Sequence, residues 1–404
     1  MIGIYLFQLT KYIIEPLEIN NYYNQNSLIN YSAGFIRRGL SGELLKKISL
    51  ITKINISVLL KWSNVILFLS IFSYFLYEFI KNKISVIFIL LPYVVPYLFK
   101  EYSVNFKDMF SIILLIIIFR VIRSNLSFFI KLTLLNILSI IGILNHEMFL
   151  FQFLPISIFL FCYLENNFKI DNIIKKILQL APSLFIFYLC FQFKGTQTQS
   201  VKIFTDINNL ANTNIQNLNL NKGIEHLNDN IKFDFSVKNF NAIWNGFSRG
   251  LIYIFFVITI VYLLIYFNKL KFSIIKNRTK FNEIDTKFLT IVFILLIIFL
   301  SPVFIIALDW FRFLNLSLLT ALLISIIFIN NKNPIPKTME CVYKRLKKTY
   351  DFFLVPNKAT ISLVAIFCIF PHYKFGNTPY QFSNVFFMIL NYLTKLLITF
   401  ANIT

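Results

Sequence analysis

Residues 106–164 read FKDMFSIILLIIIFRVIRSNLSFFIKLTLLNILSIIGILNHEMFLFQFLPISIFLFCYL and are the strongest indication of the fold class. Three apolar runs follow one another in it, and polar groups collect where a run begins or ends. The charged and titratable residues at these points are Lys107, Asp108, Arg120, Arg123, His146 and Glu147. A helix that crosses a bilayer needs about 20 residues, fewer when its polar ends reach the interface. The stretch therefore predicts consecutive membrane helices joined by short turns.

The rest of the chain has the same character. Of its 404 residues, 57% are hydrophobic and only 14% are charged, and the mean hydropathy is +0.69, which excludes a soluble globular domain. The net charge of +21 does not indicate nucleic-acid binding, because no soluble domain remains once the apolar segments are removed. The four cysteines have no C-x-x-C spacing, so neither a disulfide framework nor a zinc site is predicted.

We predict a single polytopic all-α membrane domain over residues 1–404, with about twelve transmembrane helices and roughly ten to thirteen as the bounds. No internal repeat and no boundary between separately folding domains is visible in the sequence. The predicted spans are 2–17, 57–79, 84–99, 109–122, 127–144, 148–164, 174–193, 247–268, 288–308, 311–330, 353–370 and 382–399.

Loop charge predicts the orientation of these spans, since Lys and Arg collect in short cytoplasmic loops. The connections 269–287 and 331–351 carry six Lys or Arg each, and we place both in the cytoplasm. Alternation then puts nineteen Lys and Arg in inside loops and four in short outside loops, with both termini cytoplasmic. Two longer segments fall outside: 18–56, with a predicted interfacial helix, and the polar, Asn-rich loop 194–246.

Ionisable residues at the outer ends of the spans are the candidate functional groups. A charge in a membrane span costs about 2.5 to 3.5 kcal/mol at a central position, so such residues need a reason to persist. The predicted topology brings them to one face, where they predict a single aqueous-facing site. They are Arg37, Arg38, Glu43, Lys107, Asp108, His146, Glu147, Arg249, Asp309 and Arg312.

The early arginine pair has two interpretations. Ile36, Leu40, Leu44 and Ile48 recur every four residues, which is typical of an amphipathic helix in the membrane interface. On such a helix the arginines at 37–38 anchor on lipid phosphates, or they grip a diphosphate, which guanidinium binds bidentately.

The other groups also leave alternatives open. His146 and Glu147 form a solvated hairpin turn, or a general base with an orienting partner. Lys107 and Asp108 form an ion pair at a helix start, where the dipole favours Asp, or contribute to the site. The pair at positions 309 and 312 belongs to an interfacial turn with an aromatic anchor, or binds a ligand.

Several chemistries have no motif in the chain. There is no Walker A sequence, no H-E-x-x-H and no G-x-S-x-G. There is also no Asp-x-Asp pair of the kind that holds a nucleotide-sugar through a divalent metal. We therefore expect no metal and no cofactor, and a glycosyl donor that is lipid-linked.

The topology, with the motifs GFIRRGLSGE (34–43), NHE (145–147) and DWFR (309–312), resembles the Wzy-type O-antigen polymerases. These belong to the polytopic glycosyltransferases that use undecaprenyl-linked donors at the periplasmic face. The resemblance implies a GT-C-like architecture in the bacterial inner membrane and the joining of undecaprenyl-diphosphate-linked repeat units. The implied partners are that glycan, membrane lipids and a chain-length regulator.

The resemblance also implies roles for the candidate residues. Cations would stabilise the departing diphosphate, and a base would deprotonate the acceptor hydroxyl. The cations are Arg37, Arg38, Arg312 and Lys107; the bases are His146 or Glu147, with Asp108 in reserve; and Glu43, Asp309 and Arg249 are further polar groups of the same face. The arginine pair comes early in this chain, whereas those polymerases have arginines in later, larger loops.

Two other functions stay open. One is a transferase of the same fold class that adds a single lipid-linked sugar or oligosaccharide. The other is a flippase, which would carry ionisable residues at mid-membrane and often an internal repeat.

Overall fold

The computed structural model describes residues 22–82, 106–211, 283–306, 310–328, 339–341 and 343–345, together with positions 13, 17 and 224. Within these ranges all regular secondary structure is helical. The helices are α1 Tyr22–Ser27, α2 Leu40–Thr52, α3 Ile56–Lys81, α4 Phe106–Arg123, α5 Phe128–Asn145, α6 Phe149–Leu164, α7 Ile170–Gln179, α8 Ala181–Gln192, α9 Gln197–Ala211, α10 Glu283–Ile306 and α11 Trp310–Ile327.

Two helices of the described part, α3 and α5, are long and apolar enough to cross a membrane. A third crossing is added if α7 and α8, which are bent by 60° at a short break, count as one span. The all-α membrane class is therefore confirmed. The total of about twelve spans and the GT-C-like architecture stay predictions.

The ends of the long helices follow from local chemistry. Asn55 precedes α3, and its side chain accepts the Ser57 N–H at 2.9 Å, which satisfies one of the donors left over at a helix start. Ser127 caps α5 in the same way. Between these caps and the helix ends the residues are almost all apolar, so the spans end where polar groups appear.

Helix α4 lies at the centre of the described bundle. It packs against α3 on one side, α5 and α6 on another, and α11 on a third. Its residues Leu115, Ile118 and Phe119 are fully buried and join a core shared by α5, α6, α8, α10 and α11. A smaller apolar cluster links the residues that follow α1, together with α2 and the start of α3, to α9.

Short turns make α4, α5 and α6 antiparallel neighbours, so the bundle has two distinct ends. At one end, α4 and α6 begin and α5 and α8 finish. The opposite end holds an ion pair between Glu78 of α3 and Arg120 of α4. It also holds a pair between Lys176 and Glu165, 2.5 Å apart. The candidate residues of the α4 start and the α5–α6 turn therefore share one end of the bundle.

The amphipathic helix in the first outer segment is shorter than the periodicity suggested. Helix α2 begins only at Leu40, and Arg38 precedes it with a left-handed backbone, φ 66°. The arginine pair thus lies in the loop before the helix, because a residue with positive φ cannot continue a right-handed helix. Leu44 and Ile48 of α2 are 47% and 44% exposed, so the apolar face points out of the bundle.

The predicted span 174–193 is broken. Helix α7 stops at Gln179, and α8 begins at Ala181 at an angle of 60° to it. Pro182 in the first turn of α8 explains the break, since its ring clashes with the preceding turn and it has no N–H to donate.

The polar loop 194–246 also contains regular structure. Its first part forms α9, Gln197–Ala211, which packs on α2 and α3. Several predicted features lie outside the described residues: the rest of this loop apart from Ile224, both chain termini, Arg249, Asp309, the segments 84–99, 247–268, 353–370 and 382–399, and nearly all of 2–17.

Candidate functional site

The loop before α2 is fixed at several points. The backbone N–H of Arg37 donates to the carbonyl of Phe193, at the end of α8, over 2.9 Å. Glu43 of α2 accepts the backbone N–H of Tyr31 at 3.1 Å. Gly34 has φ 98°, a conformation that favours glycine. Contacts with two helices therefore fix the backbone of this loop, and with it the positions of the arginine Cα atoms.

Arg38 forms a forked contact with Glu147, a residue 109 positions away in the turn between α5 and α6. Its Nε donates to the two carboxylate oxygens at 2.9 and 2.8 Å, and its Nη2 donates to Oε1 as well. Arg37 adds a looser ion pair, with Nη1 3.8 Å from Oε1. Both arginines of the early pair thus face one carboxylate, and the fork of Arg38 has the geometry that guanidinium also uses for phosphate.

His146 lies beside this contact. Its Nδ1 is 3.8 Å from Oε2 of Glu147 and accepts the backbone N–H of Met148 at 3.2 Å. A neutral imidazole carries one ring proton, and a nitrogen that accepts a hydrogen bond does not hold it. The proton of a neutral His146 is therefore on Nε2. In this state His146 is a hydrogen-bond donor through Nε2.

Lys107 lies behind the arginine loop and has no solvent exposure. Its Nζ donates to the backbone carbonyl of Arg38 at 2.8 Å and lies 3.5 Å from Oδ1 of Asn26. A cation in the first turn of a helix opposes the helix dipole, so these oxygens must compensate for the buried charge. Lys107 therefore fixes the backbone of Arg38. Arg37, Arg38, Lys107, His146 and Glu147 are called the Arg38 cluster below.

The charges of the cluster determine the state of Glu147. Burial by itself raises the pKa of this carboxyl, but Arg38, with a smaller contribution from Arg37, outweighs burial and holds the pKa well below its ordinary value. Glu147 is therefore a carboxylate of low basicity. For Tyr31, by contrast, burial raises the pKa, with smaller contributions from Cys190 and Glu43.

Two buried asparagines support the cluster and were not among the predicted site residues. Asn145, fully buried, donates from Nδ2 to the carbonyl of Lys107 at 3.1 Å, and Asn26 approaches the Lys107 ammonium. Asn145 directly precedes His146 and Glu147 in the NHE motif, and this position next to two titratable residues could have identified it from the sequence. Asn26 sits in the run YYNQNSLIN (22–30), which has no comparable signal.

The structure brings several predicted site residues together, and the others lie outside its described part. Asp108 follows Lys107 in the first turn of α4 and is 7% exposed. Glu43 holds the loop and pairs with Lys47 at 3.9 Å, so it supports the cluster from α2. Arg312 lies in α11, but its side chain is outside the described part, as are Arg249 and Asp309.

The arrangement suits recognition of an anion. Two guanidinium groups face one carboxylate, and a buried ammonium holds the backbone of Arg38, on the bundle end where backbone and side chains are held from several helices. Among the described residues no three His, Cys, Asp or Glu side chains are placed to hold a metal ion. Guanidinium and ammonium groups are the side chains that bind phosphates and carboxylates in proteins.

No curated protein and no solved structure matches the chain. One family model does, and it is described as uncharacterised membrane protein Rv1490. It matches residues 2–211, a range that contains the whole Arg38 cluster and helices α1 to α9. This range is more than half of the 404 residues, and the chain accordingly belongs to the uncharacterised membrane protein Rv1490 family.

Proposed function

We propose that the chain is a glycosyltransferase of the bacterial inner membrane that joins undecaprenyl-diphosphate-linked repeat units, as an O-antigen polymerase does. The observation that carries the proposal is the forked Arg38–Glu147 contact, with Arg37 and Lys107 close by, at one end of the membrane bundle. A lipid-linked diphosphate presents its charge at this depth, just outside the apolar part of the bilayer.

In this proposal Glu147 occupies the position of the anion before the donor arrives. The fork of Arg38 can hold one carboxylate or one phosphate edge, and a diphosphate carries more negative charge than a carboxylate. Binding would move Arg38 from Glu147 to the diphosphate, while Arg37 contributes a second cation. Both arginines then stabilise the charge that develops on the leaving diphosphate.

The remaining groups take different roles. Lys107 does not reach the substrate in this scheme, since its ammonium is used to fix the Arg38 backbone. Nδ1 of His146 is already an acceptor, and Glu147 is a weak base only while Arg38 faces it. We therefore assign deprotonation of the acceptor hydroxyl to Glu147 once Arg38 has moved to the diphosphate, with Asp108 in reserve, and a hydrogen bond to the donor glycan to Nε2 of His146.

The distribution of charge argues for an enzyme over a flippase. In α3, α4 and α5 every Asp, Glu, Lys and Arg lies within two turns of a helix end. A flippase that moves a charged diphosphate is expected to carry ionisable groups at mid-membrane. The titratable groups of these helices would instead serve a reaction at the surface.

A transfer assay tests the proposal. Purified chain in lipid nanodiscs is incubated with an undecaprenyl-diphosphate-linked repeat unit, and products are separated by size. We expect a ladder of products from the wild type, and its loss in Arg38→Ala but not in Arg123→Ala, an arginine at the opposite end of α4. Addition of a single unit would indicate the single-addition transferase. Absence of transfer with every repeat unit offered would contradict the proposal that the chain is a glycosyltransferase.

A further inference from the structure

Helix α7 turns an apolar face outward at the bundle end opposite the Arg38 cluster. Ile170, Ile174 and Leu178 recur every four residues and are 73%, 50% and 67% exposed, so they form one stripe. On the other face Lys176 is only 5% exposed. It pairs with Glu165 and lies 4.3 Å from the centre of the Phe128 ring. This is the reverse of a helix on a soluble protein, whose apolar face points inward.

The position of α7 gives its depth relative to the membrane helices. Lys176 contacts Phe128, the first residue of α5. The carbonyl of Gln179 accepts from Asn136, halfway along α5, at 3.1 Å. Helix α7 thus runs obliquely from the end of a candidate membrane span to its middle, at 60° to α8. Such a path follows the lipid–water interface and dips below it.

The exposed stripe continues past the bend. On α8, Phe185 and Tyr188 are 59% and 55% exposed, so apolar surface runs without a break from α7 onto a helix of the bundle wall. Lys169 and Lys175 are exposed beside the stripe. A shallow groove of about 520 Å³ lies along the same helix, lined by Asp171, Ile174, Lys175, Leu178 and Gln179.

We propose that α7 is an interfacial membrane helix, inclined to the bilayer plane, whose Ile170–Ile174–Leu178 stripe is covered by lipid acyl chains, with Lys169 and Lys175 at the level of the phosphates. The continuity of the stripe with α8 identifies lipid as the occupant, because the wall of a membrane bundle is covered by acyl chains. The positive charge of the flanking lysines complements the negative charge of anionic headgroups. This inference does not depend on the transfer reaction.

Spin-label accessibility tests the inference. In a background without its four cysteines, Ile174→Cys, Leu178→Cys and the control Lys175→Cys are labelled with a nitroxide and placed in nanodiscs. We expect the ratio of oxygen to water-soluble nickel-chelate accessibility to be severalfold higher at positions 174 and 178 than at 175. Equal nickel accessibility at the three positions would overturn the proposal, and so would spin–spin broadening at 174, which indicates a second copy of the chain.

A second measurement keeps the native cysteines. A photoreactive benzophenone amino acid replaces Ile174 or, as the control, Lys175, and the full chain is irradiated in vesicles that contain an alkyne-tagged phosphatidylglycerol. Crosslinking to the tagged lipid should be severalfold greater at 174. A product at 174 that contains only protein would contradict acyl-chain contact.

Discussion

At the scale of single residues, the Arg38 cluster depends on one carboxylate. Glu147 is the negative group that both arginines of the early pair face, and its side chain is only 16% exposed. Substitution of Glu147 by glutamine would leave two largely buried guanidinium groups without that charge. Loss of one member of such a pair costs about 2 to 3 kcal/mol when the partner stays partly buried.

The low pKa of Glu147 predicts how this stabilisation depends on pH. The unfolded carboxyl titrates near about pH 4.3, and the folded pKa lies well below its ordinary value. The contribution is therefore complete above about pH 4.3 and is lost as the pH falls through the folded pKa. We expect the wild type to melt above Glu147→Gln near neutral pH, and the gap to close in acid. A gap that stays constant with pH, measured by thermal unfolding in detergent, would contradict the assigned role.

Lys107 gives a second residue-scale prediction. Methionine keeps most of the apolar stem but leaves the Arg38 carbonyl and Oδ1 of Asn26 without the ammonium donor, at a cost of about 1 to 3 kcal/mol. Because Lys107 holds the Arg38 carbonyl, we expect Lys107→Met to lower the melting temperature and to weaken binding of undecaprenyl diphosphate severalfold. The control Lys81→Met, at the opposite bundle end, should leave both unchanged. Wild-type affinity in Lys107→Met would show that Arg38 needs no such support.

For the helices, the sequence predicted their positions along the chain better than their bends and backbone conformations. The spans 57–79 and 109–122 correspond to α3 and α4 within a few residues, because a lipid environment requires long apolar helices with polar ends. The bend at Leu180 was missed, since the apolar run continues through it. The left-handed backbone of Arg38 was missed because the spacing of four at Ile36 and Leu40 indicated one continuous helix. The Arg38–Glu147 contact joins residues 109 positions apart, which no local pattern predicts.

The crossing of α5 and α6 sets the position of the turn that carries His146 and Glu147. A Cβ on Gly142 would lie 2.3 Å from Cδ1 of Phe149, whose ring is 1% exposed. Gly142→Ala therefore forces the two helices apart, at a cost of about 1 to 3 kcal/mol for overpacking. We expect a lower melting temperature than in Ile137→Ala, a change on the outer surface of the same helix. The same melting temperature in both variants would show that the crossing is not tight.

In the whole molecule, both bundle ends carry basic residues but differ in proposed function. The Arg38 cluster lies at one end, and Arg120, Arg123 and Lys176 lie at the other, where loop charge predicts the cytoplasm. The sequence predicted that Lys107, His146 and the arginine pair share one face, and the structure places them at one bundle end. Their catalytic and binding roles stay predictions.

Sidedness has a direct test. Thr198 lies in the first turn of α9, at the bundle end that holds the Arg38 cluster. Asn125 lies in the α4–α5 turn at the other end. Both residues are exposed. In cells with the native cysteines replaced, a membrane-impermeant maleimide should label Thr198→Cys in intact spheroplasts and Asn125→Cys only after permeabilisation. The opposite pattern would place the Arg38 cluster in the cytoplasm and exclude a periplasmic reaction.

Binding of a lipid-linked diphosphate by the Arg38 cluster is measured as the affinity of the purified chain in nanodiscs for undecaprenyl diphosphate. Removal of a forked, charge-assisted contact should weaken binding about tenfold or more. We predict that loss for Arg38→Ala and wild-type affinity for Arg123→Ala. Equal affinity of wild type and Arg38→Ala would contradict the account.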